Sequence, residues 1–280
     1  MRQEHVEHVG CPLCGSDDPR PWAEEWGYHA VKCEACGLVY VTPRPTAERI
    51  TEAITMGQHA TEDGILDIRA HRQKRRVAHL QHLIRDMYRD AIAADRPLDW
   101  LDVGAGYGEL VEALVHVLPK ESKVTGIEPM QYKVDNAKSS GLPIENIHLS
   151  QINDTFDVIS MMNVFSHIPN FCSFLLEVRK HMRHHGEVLI ETGNGGDLCD
   201  RSDYPDSLYL PDHIVFAGEM HVEKFLSSAD FELISKRKFR IDTPLNCAKN
   251  LAKRLLGRPS KIVFPYTSPF RTVFYRARAV

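Results

Sequence analysis

Four of the seven cysteines stand in two matching knuckles. Cys11-Pro12-Leu13-Cys14-Gly15 comes first, and Cys33-Glu34-Ala35-Cys36-Gly37 follows after 18 intervening residues. A C-x2-C turn aims two sulfurs at one ion, and the glycine after it permits the tight turn. Two such turns supply four thiolates in a tetrahedron, the preferred environment of structural Zn²⁺. Four protein ligands close the coordination sphere, so Cys11, Cys14, Cys33 and Cys36 are expected to stabilise a small module and not to catalyse.

A second constellation lies in Asp102-Val103-Gly104-Ala105-Gly106-Tyr107-Gly108, with Glu128 further on. The glycines allow a backbone to approach a ligand without Cβ clashes. A helix N-terminus after them would offer free N–H groups. An acid at the end of the next strand can accept both hydrogen bonds of a ribose diol. Together these features describe a nucleoside site. The third glycine falls one position early for a dinucleotide fingerprint.

The elements that must position these residues are legible on either side. Leu98–Val103 reads as a buried strand that runs into the glycine turn. Leu110, Val111, Leu114 and Val115 repeat as a helix, and Val124, Gly126 and Ile127 form a second strand ending in Glu128. Upstream, no Gly or Pro occurs from Ile65 to about Ala94, and Val77, Leu80, Leu83, Ile84 and Met87 recur at helical spacing. One long amphipathic helix is therefore expected there, with Arg72, Lys74, Arg75 and Arg76 on its wet side. Phe156–Met162 reads as a further strand, Phe171–His184 as a helix, and Glu187–Glu191 as a strand after a stop at Gly186.

From Asp102 to Glu128 the chain resembles the class I S-adenosylmethionine-dependent methyltransferases. The resemblance extends over about 98–280 and includes Asn163-Val164-Phe165-Ser166-His167-Ile168-Pro169 after the fourth strand. It implies an α/β fold, a Rossmann-like seven-stranded sheet with helices on both faces. It places Asp102, Gly104, Ala105, Gly106, Tyr107 and Gly108 around the methionine part of the cofactor and Glu128-Pro129 at the ribose, and counts Asn163 among the cofactor-binding residues. The residue beside the adenine is open between Ser150 and Gln151. The whole arrangement, with a zinc ribbon at 1–45, a helical linker at 46–97 and the core at 98–280, resembles bacterial enzymes that modify sugars, polysaccharides or secondary metabolites.

By that resemblance, the expected reaction is methyl transfer to a small-molecule acceptor, most simply a hydroxyl of a sugar or related metabolite. A hydroxyl needs a base. Tyr209–Phe216 follows the fifth strand, where substrate loops belong in this fold. His213 is the expected base, with Asp212 or another nearby acid assisting, and His167 is the second choice. C-methylation of a nucleotide-linked keto sugar, RNA methylation and non-catalytic cofactor binding remain alternatives. No N-P-P-Y tetrapeptide, Pro-Cys nucleophile or P-loop occurs at the relevant places.

Composition sets outer limits. With 26% charged and 43% hydrophobic residues in 280, the chain is neither disordered nor a disulfide-dense miniprotein. The net charge of −4 hides an acidic head and a basic tail. Residues 1–64 carry 5 basic and 11 acidic residues, while 235–280 carry 12 basic residues against Asp242 alone. The acidic ribbon argues against nucleic acid as a partner; the tail suits a phosphorylated or nucleotide-linked acceptor, or serves as a solvated edge. No stretch approaches a membrane helix, and Met1–His5 lacks the apolar core of a leader, so a cytoplasmic location is expected. The oligomeric state is left open.

Overall fold

The computed structural model describes residues 6–61, 63–69, 71–205, 207–258, 260 and 262–280. Met1 to His5, on which the expectation of no leader rested, lie outside them.

The ribbon comprises β1 (Val6–Glu7), β2 (Pro19–Glu25), β3 (Tyr28–Cys33), β4 (Val39–Val41) and β5 (Arg44–Pro45). A linker follows: α1 (Ala47–Met56), the hairpin β6 (Gln58–Thr61) and β7 (Gly64–Asp67), then α2 (Lys74–Met87) and α3 (Arg89–Ala93). The core then runs β8 (Asp99–Val103), α4 (Glu109–Val117), β9 (Lys123–Ile127), α5 (Gln131–Ser139), β10 (Ile144–Glu145), β11 (Phe156–Met162), α6 (Phe171–Lys180) and β12 (Met182–Gly193). It closes with β13 (Val215–Phe216), α7 (Glu219–Ser228), β14 (Phe231–Arg240), α8 (Pro244–Leu255) and β15 (Arg271–Ala279).

Seven of these strands form one sheet in the order β10-β9-β8-β11-β12-β15-β14. The strands from β10 to β12 are parallel, and β15 runs antiparallel to both its neighbours. The strands are apolar on both sides, as a sheet covered on two faces requires. Trp100, Val158, Leu189 and Phe274 point to the face covered by α2 and α4. Their chain neighbours Leu101, Ile159, Val188 and Val273 point to the other face, against α6, α7 and the ribbon. The expected seven-stranded α/β architecture is therefore what the chain adopts.

The ribbon sheet is completed from the core. β13 adds to β4 antiparallel, Val215 opposite Tyr40 and Phe216 opposite Val39. Leu38, Val39, Tyr40 and Val41 are fully buried in the same hydrophobic cluster as α6 and α7.

Two local expectations are corrected. The single helix from Ile65 is instead a hairpin followed by α2 and α3. Gly57 (φ +75°) ends α1, Gly64 (φ +132°) turns the hairpin, and Ile65 is exposed. Helical periodicity starts only at Val77, so nothing buries a helical face before it. Gly186 is not a stop between helix and strand: α6 ends at Lys180, and β12 already starts at Met182. The pairing jumps from Phe156–Met182 to Val158–Glu187, which leaves residues 183–186 as a bulge.

Candidate active site

The glycine turn connects β8 to α4. Gly104, Gly106 and Gly108 all have left-handed φ, +69°, +57° and +81°. A Cβ on Gly104 would lie 2.5 Å from Val164 Cγ2, and one on Gly108 would lie 2.6 Å from Leu142 Cδ1. A Cβ on Gly106 would meet nothing within 4 Å. The outer glycines thus satisfy packing, whereas the middle one faces open space where a ligand can approach. Gly104→Ala is expected to destabilise the fold by about 1–3 kcal/mol through strain and overpacking. Urea unfolding of the purified variant checks this.

Glu128 sits directly after β9, buried beside that open space. Its Oε2 accepts from Gly106 N at 2.9 Å and its Oε1 from Met130 N at 3.1 Å. The carboxylate is thereby held against the turn. The carbonyls of Glu128 and Pro129 both accept from Asn146 Nδ2, at 3.0 and 2.8 Å, a brace the sequence reading missed. Asp102 is buried within β8 and accepts from Ser160 Oγ at 2.6 Å. Burial raises its pKa to about 7 against the Ser160 hydrogen bond and the nearby Arg76. Ala105 turns its methyl into the core, so only its backbone is available. The Tyr107 hydroxyl donates to the Arg69 carbonyl at 2.5 Å, which ties the linker to the turn. Ser150 and Gln151 are both exposed, and Gln151 Oε1 already accepts from His148 N at 2.8 Å. Asn163, directly after β11 with φ +59°, lines a cavity at the same end of the sheet.

That cavity, about 220 Å³, opens at the carboxyl ends of β11 and β12. Its polar wall includes Arg76, Ser166, Glu191, Thr192 and His213, and its apolar wall Phe216 and Phe270. Arg76 from α2 forms an ion pair with the buried Glu191. Burial raises the Glu191 pKa, and Arg76 counters the rise. The basic run placed Arg76 on the wet side of its helix; instead it reaches the buried Glu191, 115 residues away in the chain, a pairing that no spacing records.

The cavity wall backs onto a cluster of histidines around Asp212. The Asp212 carboxylate does not pair with His213. Its Oδ1 lies 3.2 Å from His59 Nε2 and 3.2 Å from His167 Nδ1. The Asp212 carbonyl also lies 2.8 Å from His167 Nδ1, so that nitrogen carries the proton and donates. The His167 and His213 rings meet edge to face, 4.8 Å apart. Burial alone would raise the Asp212 pKa, but the flanking imidazoles hold it well below the usual carboxylate range. Burial alone would lower the His167 pKa, and Asp212 more than offsets this. Burial and the neighbouring His167 push His213 down to about 4. His167 thus binds a proton readily, while His213 beside it resists one. Asp212, His167 and His213, the first being the expected helper and the other two the second and first choices for the base, lie together in one cluster; His59 was missed, since its hairpin carries no chemical motif.

The four knuckle cysteines converge. Cys11 and Cys36 sulfurs are 3.5 Å apart, Cys14 and Cys33 sulfurs 3.6 Å, and all four fall within 4.8 Å of one another. A tetrahedral zinc with bonds of about 2.3 Å needs sulfurs about 3.8 Å apart, so the donor set fits. Besides the β13–β4 pairing, several side-chain contacts fasten the module to the core. Gly218 N donates to His221 Nδ1 at 2.7 Å, and His221 Nε2 donates to the Cys36 carbonyl at 2.7 Å. Glu25, at the end of β2, accepts from Leu208 N, Tyr209 N and Ser207 Oγ at 2.8–2.9 Å. The ribbon therefore holds the loop that leads into Asp212 and His213.

Comparison with known proteins places this geometry. The model of a family described as a methyltransferase domain matches residues 70–236. The chain belongs to the methyltransferase-domain family. It is 31% identical over 104 residues to a ubiquinone biosynthesis O-methyltransferase of Aeromonas salmonicida (strain A449), 34% of this chain and 42% of the relative. A protein of the same name from Rhizobium rhizogenes is 29% identical over 132 residues, 42% and 52% of the two chains. The chain thus spans about half the length of the curated relatives it matches. Among solved structures, a putative sarcosine dimethylglycine methyltransferase from Galdieria sulphuraria aligns with TM-score 0.55 at 13% identity, over 72% of this chain and 85% of that one. Coclaurine N-methyltransferase bound to N-methylheliamine and SAH aligns with TM-score 0.50 at 12% identity, over 71% and 72%. At such identities these two establish a shared fold.

Proposed function

We propose that this methyltransferase transfers the methyl group of S-adenosylmethionine to a hydroxyl of a small molecule, a sugar or related metabolite. The observation that carries this reading is the open face of Gly106 beside Glu128, at the same end of the sheet as a cavity whose wall presents His213. Gly104 to Gly108 and Glu128 would hold the cofactor, which supplies an already activated methyl group. Two relatives are named O-methyltransferases, which supports oxygen as the acceptor atom.

What remains for the protein is alignment and proton removal. His213 at the cavity wall takes the hydroxyl proton. The pair it forms with His167 then carries one positive charge, which Asp212 stabilises. Asp212 also fixes His167 in one tautomer, and His59 holds Asp212 in place. Zinc bound by Cys11, Cys14, Cys33 and Cys36 keeps the ribbon folded and, through Glu25 and His221, the acceptor loop in register.

Screening hydroxylated sugars and metabolites with radiolabelled S-adenosylmethionine tests the assignment. Label should enter a hydroxyl-bearing acceptor; label found only at carbon or in RNA would contradict it. Glu128→Ala is expected to weaken S-adenosylmethionine binding by roughly tenfold to a hundredfold, as loss of a charged double acceptor predicts. Calorimetric titration of the variant reads this directly.

A further inference from the structure

We propose that α8 and the loop after it dock onto an anionic lipid surface. Helix α8 is amphipathic, but its orientation is the reverse of what packing in water alone would select. Leu245, Ala248, Leu251, Ala252, Leu255 and Leu256 are all exposed, Leu255 at 80% and Leu256 at 76%. The residues turned toward the domain are Asn246, Cys247 and Asn250, each only partly buried. Asn246 Nδ2 donates to the Ile241 carbonyl at 2.8 Å, and the Asn250 carbonyl accepts from Ser260 Oγ at 2.7 Å. No residue of the helix is buried. A contiguous apolar face of this kind marks a contact surface.

Charge identifies the occupant. Lys249, Lys253 and Arg254 border the leucines and are exposed, and Arg258 follows one turn on. Residues 243–280 contain no Asp or Glu. A symmetric second copy would bring these cations against their like. Anionic headgroups complement them, while the leucines enter the acyl boundary, the arrangement of interfacial helices. Phe264 is 72% and Tyr266 60% exposed in the loop that returns to β15, and aromatic residues of this kind favour the headgroup level. Phe270, just beyond them, lines the acceptor cavity, so docking would set that wall of the site at the membrane surface.

Flotation of the full chain with phosphatidylcholine vesicles, with and without phosphatidylglycerol, tests the proposal. Binding is expected only to the anionic vesicles and should weaken in high salt. Leu251→Asp with Leu255→Asp should reduce it by roughly tenfold or more without altering circular dichroism, because both side chains lie outside the core. Lys249→Glu with Lys253→Glu should do the same. Failure to float with anionic vesicles at low salt, or equal binding by the variants, would overturn the proposal. So would a wild-type dimer in solution that the leucine changes dissociate, since a second copy would then cover this face.

Discussion

Replacing Asp212 by alanine is expected to lower kcat by roughly 10²–10⁴-fold, the span attributed to positioned proton transfer. The side chain is buried and holds both His59 and His167 by one oxygen. Without it, two imidazoles lose their partner in a dry site, and the fold should lose about 3 kcal/mol. Asp212→Asn separates the two effects. It keeps shape and an acceptor oxygen but removes the charge, so stability should recover more than activity.

The pH dependence has a definite sign. The working form of the pair is unprotonated, and Asp212 holds the His167 pKa above 6.5. Turnover should therefore rise with pH through a value above 6.5, and Asp212→Asn should move that limb to lower pH. Stability behaves differently. His213 titrates near 4 in the fold against an ordinary 6.5, so between these values the unfolded chain binds a proton that the native state refuses. Asp212 is depressed in the fold, so its contribution is complete above the ordinary carboxylate pKa and is lost on further acidification. As pH falls below 6.5, His213 therefore removes stability, Asp212 adds to the loss only below the ordinary carboxylate range, and His167, whose pKa is raised in the fold, works in the opposite direction.

Loss of zinc from the proposed Cys11, Cys14, Cys33 and Cys36 site is the second large expected effect. Chelation, or Cys33→Ala, should abolish acceptor turnover while leaving cofactor affinity nearly unchanged. Structural zinc contributes folding energy outright, on the order of 10 kcal/mol in isolated modules. Here its loss would release Glu25 from the backbone of Leu208 and Tyr209, and His221 from Cys36. Among the described hydrogen bonds, none to the glycine turn or to Glu128 comes from the ribbon. Metal analysis together with separate cofactor and acceptor titrations measures the split. A parallel loss of cofactor binding would mean that the ribbon supports the whole core and not the acceptor loop.

The parts of this site that were readable in the sequence are those encoded locally. Gly104, Gly106 and Gly108 are each required by a backbone angle or a close contact within one strand–turn–helix unit, and each knuckle closes on itself through a single turn. The histidine cluster was only half readable. His213 and Asp212 are adjacent in the chain, which suggested a pair, yet adjacency sent the carboxylate the other way, to His167 and His59. Those contacts span 45 and 153 residues, and no periodicity records them. The hairpin at 58–67 was hidden for a related reason. The absence of Gly and Pro after Ile65 permits a helix, but no repeating apolar face compels one. β13 is too short to announce itself, and its role in completing the ribbon sheet follows only from the three-dimensional packing of β4.

The central claim is that the open turn beside Glu128 is a cofactor site serving the histidine-lined cavity. Calorimetric titration of the zinc-loaded protein with S-adenosylmethionine and with S-adenosylhomocysteine tests it most directly. Saturable one-to-one binding of both is predicted, weakened by Glu128→Ala and retained by Asp212→Asn. Absence of binding by either compound would contradict it.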